Sequence, residues 1–171
     1  MTLLENVARA HDALTRLGAI LSAVSLGGIV VFYCWEILTR FFLGHPTSWT
    51  AAVSVYLLLS TVMLMLPLLT MGDDHVAVSI AEERFSPGIA LASRRVVLVI
   101  AVVICALSTW FVGSEAWRAL SRGVQTTDTL AIPKWWLIGT IVYGLGSSTL
   151  HFLRKLLDRK ARRDHVGTDA A

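Results

Sequence analysis

Few residues in this sequence are of a type and spacing that could do chemistry. Glu36 and Arg40 stand four apart with the glutamate first, the favourable order for an ion pair along a helix. Two readings follow: the pair neutralises itself locally, or one member meets a partner. Trp49 comes shortly after, and arginine and tryptophan are the side chains most often used as binding anchors. Glu115, Arg118 and Arg122 follow one another at i, i+3 and i+7, the spacing of a solvated helix face. His75 and His151 raise haem ligation, because four-helix membrane bundles can hold haem between paired histidines. His75 lies beside Asp73 and Asp74, however, so a solvated loop histidine and an interfacial histidine are the simpler reading. There is no phosphate-cradling glycine loop, no metal-ligand spacing and no pair of carboxylates inside an apolar run. The expectation is a protein that is not an enzyme, with no catalytic residue, no substrate ligand, no metal and no cofactor.

The elements that carry these residues are set by composition. The chain has 171 residues, of which 55% are hydrophobic and only 16% charged. A soluble domain carries roughly 25% charged residues, so a soluble enzyme and a disordered chain are both poor fits. The net charge of +3 could suggest nucleic-acid binding, but the hydrophobic bulk points to a membrane protein with basic ends. Four stretches lack Lys, Arg, Asp and Glu: 17–35, 51–72, 96–114 and 135–153. At about 1.5 Å per residue each reaches roughly 28–33 Å, enough to cross a hydrocarbon core of about 30 Å. Only helices can do so here, because a helix satisfies its own backbone hydrogen bonds. The fold class predicted is all-α integral membrane, with spans at about 17–39, 51–72, 96–114 and 135–153. They form one domain over residues 1–158, followed by a basic tail over 159–171. The first run is too long for a signal-peptide core and no cleavage site closes it, so it reads as a retained anchor.

Orientation follows from charge. The N-terminus, the second connection and the tail hold 11 Lys and Arg; the first and third connections hold Arg40, Arg118, Arg122 and Lys134, which is 4. The positive-inside rule then places both termini in the cytoplasm. Trp35, Trp49, Trp117, Trp135 and Trp136 gather at the opposite ends, as an aromatic belt would. Cys34 and Cys105 fall at different depths and are expected as free thiols.

No span carries a mid-membrane charge or paired Gly-Pro breaks, so none offers a site for a polar solute. Packing surfaces are more informative. Gly18, Ser22, Ser25 and Gly28 make a small-residue stripe on the first helix, and Thr140, Gly144 and Ser148 do so on the fourth. Such stripes let helix backbones approach closely, either within this bundle or against a larger membrane partner. The connection from Asp73 to Arg95 mixes charges with Val76, Val78, Ile80 and Phe85 and could lie along the membrane surface. Pro67 can kink the second helix, and Pro133 stops any helix before Trp135.

Taken together, the pattern resembles the small membrane subunit of tripartite ATP-independent periplasmic (TRAP) transporters, the DctQ-type family, from about Leu14 to Asp158. The resemblance rests on Arg40, Gly44, Pro46 and Trp49; on His75, Val76 and Val78 after the second helix; on the loop "GVQTTDTLAIPKWW" with Gly123, Thr129, Leu130, Pro133 and Trp135; and on the four-helix length. The chain departs from the family where acidic residues often stand, having Thr50, Ala51 and Ala52 after the loop tryptophan and Ser79 after the valines. The resemblance implies an accessory scaffold in a bacterial inner membrane. Its partners would be a large multi-span subunit that carries organic acid with sodium, a periplasmic solute-binding protein, and membrane lipids, but no nucleic acid. The expected partner interface comprises Glu36, Arg40, Trp49, Gly18, Ser22, Gly144 and Ser148. The competing reading is a small four-helix cytochrome-type electron carrier.

Overall fold

A computed structural model describes residues 3–45, 47–72, 87–126 and 130–157. Four helices account for most of them: α1 (Leu3–Leu43), α2 (Thr50–Met71), α3 (Pro87–Ser121) and α4 (Lys134–Leu157). All four are long and apolar enough to cross a membrane. His75, Val76, Val78, Ile80, Phe85, Pro46, Thr129 and the basic tail lie outside the described residues.

Two helices outrun the apolar runs that nucleate them. α1 has 41 residues and α3 has 35, or about 62 and 53 Å at 1.5 Å per residue, against roughly 30 Å of hydrocarbon. α1 already begins at Leu3, well before the apolar run at Leu17. α3 begins at Pro87, whose missing N–H costs nothing at a helix start. Residues 87–95 are therefore the first turns of α3, which corrects their assignment to a surface connection. At its other end α3 continues through Glu115 and Arg118, which form an exposed ion pair at 3.7 Å.

The packing is inverted relative to a soluble protein. Buried residues are mainly small and polar: Thr15, Ser22, Thr39, Thr50, Ser54, Thr70, Ser147, Ser148 and His151. Large apolar side chains such as Val24, Val31, Phe41, Ile104 and Trp110 point outward. In lipid there is no hydrophobic gain from burying them, so helices associate through close backbone contact and hydrogen bonds. The inner stripe of α1 reads His11, Thr15, Gly18, Ser22, Gly28, Phe32, Glu36, Thr39, spaced for one helix face, and every member is buried or half-buried.

The helices pack in the order α1, α2, α4, α3. α4 is the hub because it carries small residues on opposite faces. A Cβ at Gly144 would sit 2.5 Å from the Met63 carbonyl oxygen of α2, and one at Gly146 would touch Thr109 of α3 at 3.5 Å. Pro67 explains the first contact. It has no N–H, so the carbonyl four residues earlier, that of Met63, loses its helical partner, and the α4 backbone closes over it at Gly144. On the other side of α2, Ser22 donates a hydrogen bond to the Thr61 carbonyl at 2.8 Å, and Gly18 lies against the Leu64 carbonyl. Gly18, Ser22, Gly28 and Gly144 of the small-residue stripes thus face this chain's own helices.

α1 and α3 both end in left-handed glycines, Gly44 at φ +67° and Gly123 at φ +60°. At Gly123 the motif is complete: Val124 N–H donates to the Ala119 carbonyl and Gly123 N–H to that of Leu120. The loop then turns back through Thr126 and Ile132, and a bridge pairs Gln125 with Pro133 before α4 starts. Cys34 and Cys105 are free thiols.

Candidate functional site

Charged side chains gather at the two ends of the bundle. At the end where α1 begins and α4 finishes, six side chains form a clasp. His11 Nε2 lies 2.8 Å from Ser147 Oγ, and His151 Nε2 lies 2.9 Å from Thr15 Oγ1. The two imidazoles pack against each other with centroids 4.3 Å apart. Beside them Arg154 donates to Asp12 Oδ1 at 2.6 Å. Lys155 donates to the Gly72 carbonyl, the C-cap of α2, at 2.6 Å, where a cation meets the negative end of the helix dipole.

The hydrogen bonds fix one tautomer. Thr15 has a single hydroxyl proton, and it goes to the His11 carbonyl at 3.0 Å. Its oxygen is left to accept, so His151 donates through Nε2–H and carries its lone pair on Nδ1. His151 is nearly fully buried at this end of the bundle. The reason is the early start of α1, whose first turns cover the end of α4. His75, the other histidine of the haem reading, lies outside the described residues.

The opposite end holds the residues singled out from the sequence. Glu36 does not pair with Arg40 among the described residues. Its Oε2 accepts the Thr47 backbone N–H at 3.2 Å and the Thr47 hydroxyl, and Thr47 in turn contacts Thr50 Oγ1. The carboxylate thus lies at the N-terminus of α2, where the helix dipole favours negative charge. Arg40 is exposed, and Trp49 caps α2 while its ring meets Phe32 edge-on at 5.7 Å. Nearby, Glu115, Arg118, Arg122 and Lys134 line an open depression where α3 meets α4. Ser148 is buried in the helix contact, and its Oγ has no hydrogen-bond partner among the described residues.

Of the seven expected interface residues, Gly18, Ser22, Gly144 and Ser148 lie inside the bundle, while Glu36, Arg40 and Trp49 share its loop end. Sequence reading missed His11 and Asp12, since their partners are 136 and 142 positions away.

A family model for the DctQ component of tripartite ATP-independent periplasmic transporters matches residues 29–162. The chain belongs to the DctQ family. It is therefore a small component of a TRAP transporter, as the resemblance implied. No curated protein matches the sequence. The DctQ match takes in the loop end and His151, but it begins after His11 and Asp12, so half of the histidine clasp precedes the matched region.

Proposed function

We propose that this DctQ chain is the fixed scaffold subunit of a transporter that takes up an organic acid with sodium. It seats a large multi-span subunit, which carries the solute and ion sites, and helps a periplasmic solute-binding protein dock. One observation carries this reading: none of the four apolar runs holds a charged residue, while apolar side chains cover the helices' outer faces. A proton or ion path through a span needs intramembrane charge, and a broad apolar exterior suits a larger membrane footprint.

The test is uptake into sodium-gradient vesicles by the complete transporter, by the large subunit without this chain, and by this chain alone. Uptake is expected only from the first. Uptake by this chain alone overturns the scaffold reading. Within the complete transporter Arg40 and Trp49 are the proposed contacts, because Arg40 is free of Glu36 and both stand at the loop end. Arg40→Ala is expected to lower uptake while insertion and helicity stay normal. Unchanged uptake, with unchanged co-purification of the large subunit, returns both residues to membrane anchoring.

The orientation belongs to the same proposal. The 11-to-4 distribution of basic residues supports a bacterial inner-membrane protein with both termini in the cytoplasm. Reporter fusions at Met1 and Ala171 that are active only after export are expected to stay silent. A fusion after Gly123 is expected to be active, and the reverse pattern would invert the topology.

A further inference from the structure

We propose that His11, Asp12 and His151 form a binding site for a divalent first-row metal ion, with zinc as the reference ion. One donor atom from each residue lies within 4.8 Å of the others. Two imidazoles and a carboxylate are the donor set zinc takes when one coordination position is left to water.

What distinguishes this cluster from three polar residues that happen to meet is how each is held. His11 is fixed through Ser147, His151 through Thr15 and Asp12 through Arg154. Each hydrogen bond engages one donor atom and leaves a second: the other ring nitrogen of each histidine, and the other oxygen of the carboxylate. That is the pattern of outer partners that orient metal ligands and fix their tautomer. For His151 the free atom is identified, because Thr15 accepts Nε2–H and the lone pair stays on Nδ1. The neighbouring cations are already engaged, Arg154 by Asp12 and Lys155 by the Gly72 carbonyl.

Zinc–ligand distances of about 2.0–2.2 Å put tetrahedral donors roughly 3.3–3.6 Å apart. Donors as far apart as 4.8 Å must therefore close by roughly 1.2–1.5 Å, within reach of side-chain torsions on two facing helices. Asp12 is about one-third exposed, so an ion has a path from the end of the bundle. Once bound, it would tie α1 to α4, the first helix to the last.

The experiment uses the full chain in detergent with any affinity tag removed. Zinc chloride is titrated calorimetrically, and cobalt(II) is added in its place to read coordination by visible absorption. One saturable site per chain is expected, with the absorption of a low-coordinate cobalt centre. His11→Gln and His151→Gln are each expected to abolish that site, and Ser147→Ala to weaken it about tenfold. The triple variant His45→Gln/His75→Gln/His165→Gln removes the other histidines and is expected to bind as the native chain does. Helicity by circular dichroism accompanies each variant. Absence of saturable zinc binding by the native chain overturns the proposal, whatever the variants do. Undiminished binding by folded His11→Gln or His151→Gln overturns it as well, leaving the clasp as hydrogen bonding alone.

Discussion

Gly144→Ala is expected to destabilise the bundle by about 1–3 kcal/mol, the range for overpacking a filled contact, while Gly139→Ala on the same helix is neutral or slightly stabilising. The chemical change is identical, so the difference isolates what each glycine faces. At Gly139 a Cβ meets nothing within 4 Å. There alanine keeps only its better helix propensity, worth up to about 1 kcal/mol. At Gly144 the added carbon would sit 2.5 Å from the Met63 oxygen and 3.2 Å from its carbon. Both are backbone atoms, so no side chain can swing aside, and α2 and α4 must separate. Separation also uncovers the carbonyl that Pro67 leaves without a helical partner. Thermal unfolding in detergent, followed by circular dichroism, reads both variants. Equal melting temperatures for the two would show that the helices are not in contact at this point.

The sequence reveals the helices far better than their neighbours. Lipid demands about twenty apolar residues per crossing, so the four runs stand out without any knowledge of packing. The stripes at Gly18, Ser22 and Gly144 are visible too, because helical periodicity says which residues share a face. It does not say which helix that face meets. That depends on the Met63 carbonyl that Pro67 frees and on the Thr61 and Leu64 carbonyls of α2, a relation between residues far apart in the chain. The extra turns of α1 before Leu17 are hidden for a different reason. Arg9, Asp12 and Arg16 interrupt the apolar pattern there, and only contact with α4 shows that His11 and Thr15 face inward. His151, read alone, is an ordinary interfacial residue; beside the half-buried His11 it becomes the buried member of a ring pair.

Glu36 shows the opposite failure, in which a strong local signal is outcompeted. The i, i+4 spacing favours Arg40 by only a few tenths of a kcal/mol on an exposed helix. Thr47 instead offers a backbone N–H and a hydroxyl, both aimed at one carboxylate oxygen at the head of α2. Hydrogen bonds to a charged group are worth about 1.5–3 kcal/mol, and an unpaired buried donor costs about 1–3 kcal/mol. Glu36→Ala is therefore expected to cost about 1–3 kcal/mol and to loosen the connection between α1 and α2. Glu36→Gln keeps an acceptor oxygen and is expected to lose roughly half as much. Arg40→Ala, with no ion pair to Glu36 to break, is expected to fall within the 0–1 kcal/mol of an exposed charge. Unfolding of the three variants orders them, and hydrogen exchange at the Thr47 amide locates the effect. If Arg40→Ala costs as much as Glu36→Ala, the two side chains act as a pair after all. If it is silent in stability and still lowers uptake, Arg40 works on a partner rather than on this fold.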